Sequence, residues 1–183
     1  MNSTKSKIIR VALRMVSEKG YEWLSFQKVA DEIGIAKSSI YHYFKKKEDL
    51  GIAIMDSVEE TFQKKKEKIL TYESEKEKLN AYLGKVNTEE TLYSEVLAKL
   101  TFDFNGLPLK LQNKIREHSL KTHEFVLQIL KRGIEKKEFN ITKDLEEATM
   151  AIILMSIGSY IYGRVFNNID LDISKYITNS ITN

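Results

Sequence analysis

Residues 25–44 read SFQKVADEIGIAKSSIYHYF, and the fold is decided by how these residues are spaced. Ser25 carries a hydroxyl suited to capping a helix start, and Val29, Ala30 and Ile33 recur at the interval that puts them on one inward face. Gly34 then supplies positive φ at a sharp corner, Ile35-Ala36 turn the chain, and Lys37 to Phe44 open a second helical pattern. Two short helices joined by a glycine-containing turn form a helix-turn-helix. Ala30 lets the helices cross closely, and Ile33, Ile35 and Ile40 fill the corner. The second helix keeps an outward face of Lys37, Ser38, Tyr41 and His42, donors of a size suited to phosphates and to base edges in a major groove.

Upstream, residues 5–18 carry Ile8, Ile9, Ala12, Leu13 and Val16 on one helical stripe that stops at Lys19-Gly20, where Gly20 is expected to form a left-handed cap. Downstream, Leu50, Ala53, Ile54, Val58 and Phe62 continue a stripe into Lys64-Lys65-Lys66, so a long helix is expected over about 47–70. With Glu59, Glu60 and Glu67 around it, the lysine run reads as a solvated face with i,i+4 pairing. Further helices are expected near 75–86, 89–105, 109–137 with a break near 117, 144–167 and 171–181. Turn chemistry separates them at Asn87-Thr88, Asn105 to Pro108 and Asn140 to Thr142. The expected class is all-α, with a three-helix helix-turn-helix domain over 1–46 and a second helical domain over 47–183.

Composition agrees with this class. The 183 residues are 42% hydrophobic and 30% charged, with eight glycines and one proline, too little punctuation for a β sandwich or barrel. There is no cysteine, which removes disulfides, thiolate metal sites and cysteine nucleophiles from the inventory. Net charge is +3, but residues 1–50 hold ten Lys/Arg against six Asp/Glu, so the positive excess sits at the front and suits a polyanion such as DNA. The N-terminus lacks the apolar core of a signal peptide, and the uncharged run from Ala148 to Gly163 is shorter than the roughly 20 residues a membrane span needs. A cytoplasmic protein without membrane association is expected.

Catalysis finds no foothold. His42 belongs to the outward helix face, and His118 and His123 lie five apart, off the i,i+4 spacing that would set both on one metal. The two glycines of Gly158 to Gly163 have phosphate-loop spacing but no following Lys-Ser/Thr, and they lie in an apolar helix. The sequence therefore implies no enzyme, no cofactor and no metal.

The segment from Ile8 to Leu50 resembles the DNA-binding domain of TetR-family transcriptional regulators. The likeness rests on Gly20-Tyr21, Val29-Ala30, Ile33-Gly34-Ile35, the run Ile40-Tyr41-His42-Tyr43-Phe44, and Lys47-Glu48-Asp49-Leu50. It implies that Lys37, Ser38, Ser39, Tyr41 and His42 face DNA, with Tyr41 and Tyr43 near the phosphate backbone. Ser25, Gln27, Lys28 and Lys47 would clamp adjacent phosphates or an edge base. Where the family often has Ser or Thr this chain has Ala36, so the second helix is expected to lack its usual cap. Ser38 stands where the family often has Gly and becomes a candidate for base contact.

A weaker likeness, from Gly133 to Phe139 and Asp144 to Ala148, matches the close of helix seven and the opening of helix eight in the same family. The resemblance implies a homodimer whose last two helices pack as a four-helix bundle. The best seam for it is Met150, Ile153, Ile157, Ile161 and Val165, with Gly158 allowing close approach. It also implies an effector cavity within residues 82–130, for which Tyr93, Phe102, Phe104, His123 and Phe125 are candidates. Few of these carry charge, so a small hydrophobic or amphipathic effector is expected. The function implied is a ligand-responsive regulator, a repressor on a palindromic operator in double-stranded DNA, with the helix at 47–70 as its lever. The alternative is an all-helical small-molecule-binding or assembly protein that keeps the corner without sequence-specific DNA binding.

Overall fold

A computed structural model describes residues 3–84, 88–142, 144–165 and 173–181; within these, the side chains of 88, 89, 160, 161 and 163–165 are not described. Among the described residues the chain is helical throughout: α1 (Thr4–Lys19), α2 (Phe26–Ile33), α3 (Lys37–Tyr41), α4 (Lys47–Leu70), α5 (Glu75–Leu83), α6 (Thr88–Phe102), a 3-10 turn (Phe104–Gly106), α7 (Leu109–Glu135), α8 (Leu145–Val165) and α9 (Ile173–Ile181). None of these helices is long and apolar enough to cross a membrane. The chain folds as two compact units, residues 1–62 with 87–118, and residues 63–86 with 119–183. Both α4 and α7 run through a boundary between units, and α7 passes residue 117 without the expected break.

In the first unit, Ile8, Ala12, Leu13 and Val16 of α1 are buried against α2 and α6, and the stripe read from sequence becomes the centre of the core. Val29 and Ala30 of α2, Ile40 of α3 and Leu50 and Ile54 of α4 are fully enclosed in the same cluster, with Ile33 and Ile35 packed at its edge. Arg14 of α1 bridges Glu18 on its own helix and Glu32 of α2.

The two glycine corners differ. Gly34 ends α2 at φ 71°, ψ 37°, the left-handed region expected of it. Gly20 ends α1 at φ 84° but ψ 169°, so it is not a left-handed cap; the chain leaves α1 extended, through a region that is essentially glycine-only. A side chain there would also meet Asp103 Oδ2 at 2.9 Å.

In the second unit, α9 packs on α5 and α8 through buried Leu79 and Ile177. Thr178 Oγ1 donates to Asn80 Oδ1 at 2.6 Å, and Asn140 N donates to the Ile181 carbonyl at 2.6 Å, which ties the α7–α8 connection to the end of α9. The α7 terminus and α8 start fall where residues 133–139 and 144–148 placed them.

Candidate functional site

The corner is built from the residues that predicted it. Ser25 Oγ accepts from Lys28 N at 3.3 Å and caps α2, while Ala36 starts α3 with no side-chain cap, as its methyl requires. The second helix closes at Tyr41, not Phe44, because the amides of Tyr43 and Phe44 both turn back to the Ile40 carbonyl at 2.9 Å. Asp49 Oδ2 then takes the amides of Lys45 and Lys46 at 3.1 and 3.0 Å, which draws the chain directly into α4.

With Ile40 fully buried as the anchor, Lys37, Ser38, Tyr41, His42 and Tyr43 are exposed together on one side, and Ser39 is half-buried beside them. Tyr41 stands edge-on to Phe26, ring centroids 5.1 Å apart, so its phenol is held by α2. This surface offers hydroxyl, imidazole and ammonium donors on the five-residue helix and the two residues that follow it, and no carboxylate lies within it.

The flanking lysines are placed by aromatic rings. Lys28 Nζ lies 3.5 Å from the Trp23 ring centroid and donates to the Trp23 carbonyl at 3.0 Å, and Lys19 Nζ lies 4.5 Å from the same ring. Lys47 Nζ lies 4.5 Å from the Tyr21 ring. Burial pushes the Lys47 ammonium below its ordinary pKa; Lys28 adds to the shift and Glu22 opposes it. An anion brought to this cluster would reverse that shift. Gln27 is exposed and donates to Asp31 Oδ1 at 2.7 Å. Lys19 and Trp23 were not singled out from sequence, since a lysine at a helix end and an aromatic in a connector carry no spacing signal of their own.

The five cavity candidates are not brought together. Tyr93 and Phe104 pack on the core of the first unit, where Arg116 lies 4.7 Å from the Phe104 ring, and Phe102 is 87% exposed at the end of α6. The physical reason is that α6 is committed to α1. His123 and Phe125 instead line an open cleft of about 770 Å³ in the second unit, walled by α4, the start of α5 and α7. His123 Nε2 lies 3.1 Å from Glu146 Oε2. This cleft also presents Lys66, Lys121, Arg132, Glu75 and Glu124.

Residues 8–54 match the family model described as bacterial regulatory proteins, tetR family. Over these residues the chain is similar to the TetR family. The chain is 29% identical over 126 residues to the fatty acid metabolism regulator protein of Bacillus subtilis, an alignment spanning 68% of this chain and 59% of that one. The match thus covers less than two thirds of that relative's length. Among solved structures, a TetR transcriptional regulator from Legionella pneumophila superposes with TM-score 0.84 at 22% identity, covering 100% of this chain and 99% of that one. The regulator FadR from Bacillus subtilis, solved in complex with stearoyl-CoA, gives TM-score 0.73 at 24% identity over 96% of each chain. These two likenesses speak to the fold.

On α8, Met150, Ile157 and Gly158 are exposed and Ile153 is half-buried; the side chains of Ile161 and Val165 lie outside the described residues. Leu154, 58% exposed, joins this face although the sequence reading passed over it. Among the described residues no group of three or more His, Asp or Glu could hold a metal ion.

Proposed function

We propose that this chain is a ligand-responsive transcriptional regulator, a homodimeric repressor holding two recognition helices about 34 Å apart on a palindromic operator. The observation that carries the reading is the exposed face of Lys37, Ser38, Tyr41 and His42 set over fully buried Ile40, inside the segment that matches the TetR model. Residues 1–46 would read DNA and residues 47–183 would bind effector and dimerise. That division is drawn by role; packing groups residues 87–118 with the N-terminal helices. A cytoplasmic location goes with the same reading.

The effector belongs in the second unit, whose cleft is of the size small-molecule sites have. Release from DNA requires that the effector prefer the state whose helices no longer match the operator, and a tenfold loss of occupancy needs about 1.4 kcal/mol of preference. Because α4 begins at the recognition corner and ends in the second unit, it is the lever this scheme uses. That a relative of similar fold was solved with stearoyl-CoA supports a small amphipathic effector.

The test is a mobility shift on the chain's own upstream intergenic DNA at two salt concentrations, with unrelated DNA as competitor. Specific, steeply salt-dependent binding that Lys37→Ala and Tyr41→Ala each weaken by about 1–3 kcal/mol supports the regulator. Equal binding to competitor, or variants that bind as the parent does, would favour the small-molecule-binding or assembly protein instead.

A further inference from the structure

The connector between α1 and α2 runs Gly20-Tyr-Glu-Trp-Leu24 and carries the one tryptophan of the chain. Tyr21 and Leu24 are buried, and Leu24 N donates to the Tyr21 carbonyl at 3.1 Å, which closes a turn on those two anchors. Glu22 and Trp23, the central residues of the turn, are therefore left outside, with Trp23 38% exposed.

Three helices each send one lysine to this turn. Lys19 from the last turn of α1 and Lys28 from the first turn of α2 place their ammonium groups 4.5 and 3.5 Å from the Trp23 ring centroid, hence within about 8 Å of each other. Lys28 also donates to the Trp23 carbonyl at 3.0 Å, and Lys47, the first residue of α4, donates to the adjacent Glu22 carbonyl at 2.9 Å. Among the described residues neither Lys19 nor Lys28 is ion-paired with a carboxylate. Glu18, beside Lys19 in the chain, is taken by Arg14, and Glu22 favours the charge of Lys47 while Lys28 opposes it. Like charges gathered on one turn repel one another, and an anion set among them is attracted by all three.

The turn adjoins the recognition surface. Phe26, in the same turn of α2 as Lys28, holds Tyr41 edge-on, and Lys47 follows that surface at the start of α4. We infer that the Trp23 ring is a platform that positions Lys19 and Lys28 for backbone phosphates of duplex DNA flanking the bases that the recognition helix reads. The inference rests on the DNA-binding reading and extends its surface to the α1–α2 connector. Lys19 is then a phosphate contact from α1, a helix outside the helix-turn-helix, and Trp23 is a positioning residue that acts through the two ammonium groups. An ammonium over a ring face keeps N–H donors directed away from it, and a lysine stem already held in place loses less freedom when a phosphate arrives. Such contacts add affinity and salt dependence but no choice of sequence.

The experiment titrates the full chain with a duplex of its own upstream intergenic DNA and with an unrelated duplex of equal length, at several salt concentrations. The single tryptophan is the first readout: Trp23 emission should change saturably as either duplex binds and return as salt releases it. Lys19→Met keeps the stem on the ring and removes the charge. The plot of log affinity against log salt should then become shallower by about one unit per protomer on both duplexes. Trp23→Leu leaves both lysines charged but unplaced, and should weaken both duplexes about threefold to tenfold. That loss should largely vanish when Lys19 and Lys28 are already Met, a coupling that a merely structural tryptophan would not show. An unchanged slope for Lys19→Met, additive losses for Trp23→Leu, or Trp23 emission that stays fixed while a mobility shift shows DNA bound overturns the platform, and the last of these needs no variant. The two readings fail separately. Preference for the upstream duplex together with any of those results keeps the regulator and removes the platform. Equal affinity for both duplexes with the expected slope and emission keeps the phosphate platform and removes the sequence-specific regulator, and no binding to either removes both.

Discussion

Lys47 Nζ donates to the Glu22 carbonyl at 2.9 Å while lying over the ring of Tyr21, so the first residue of α4 is fastened to the connector that precedes α2. The fastening leaves the ammonium with donors to spare at the edge of the recognition surface, where a phosphate would sit. Lys47→Met keeps the stem over Tyr21 and removes the charge. The salt dependence of DNA binding, plotted as log affinity against log salt, should become shallower by about one unit per protomer, with affinity falling alike on all sequences. An unchanged slope in a titration over several salt concentrations would remove Lys47 from the phosphate contacts.

Much of the corner was legible because its determinants are local. Ser25 capping, the left-handed Gly34, the uncapped Ala36 and the buried Ile40 each follow from a residue and its near neighbours. What was not legible depends on distant partners. The end of α3 at Tyr41, where the amides of Tyr43 and Phe44 share the Ile40 carbonyl, leaves no mark in residue type, and the extended exit at Gly20 leaves Asp103 lying close by. Tyr93 and Phe104 look like cavity residues until α6 is seen to pack on α1, and the cleft's cations on α4 and α7 look like solvated faces until the two helices are set beside each other.

Gly34 isolates the cost of the left-handed conformation. No atom lies within 4 Å of where its Cβ would be, so a substitution meets no clash and is strained only by φ 71°. Gly34→Ala should destabilise by about 1–2 kcal/mol, Gly34→Asn by less because Asn visits this region readily, and Gly34→Val by more. Urea unfolding of the three variants checks the order; Asn no better than Ala would mean that the corner relaxes out of the left-handed region.

Glu75 couples stability to pH. Burial pushes its carboxyl up, but the hydrogen bonds from Lys78 and Lys136 outweigh burial and hold its pKa below the ordinary 4.5. The unfolded chain therefore binds more protons here than the folded one between those two values, and stability rises with pH across that window. The contribution is fully present above 4.5 and is lost as pH falls through the folded value. Glu75 Oε2 is buried with no hydrogen-bond partner, so the two lysines on Oε1 are what keep the charge in place. Glu75→Gln should be less stable than the parent at neutral pH, with the difference shrinking as pH is lowered from 7 toward 3. Urea midpoints across that range decide it; a constant difference would assign the acid sensitivity to other carboxylates.

Met150, Leu154 and Ile157 stand 48%, 58% and 42% exposed on α8, spaced four and three apart and so forming one apolar stripe on a single chain. Soluble monomers rarely leave such a stripe in water. In the homodimer proposed here the stripe meets its symmetry mate, and every substitution on a two-fold seam acts twice. Leu154→Glu and Ile157→Glu would each set carboxylates of both protomers into an apolar contact, at a cost no surface ion pair recovers. Light scattering should then report a species near 21.2 kDa where the parent reports twice that mass, and operator affinity should fall because one recognition helix no longer delivers the other. Variants that remain dimeric with full operator affinity would move the two-fold contact off this face of α8.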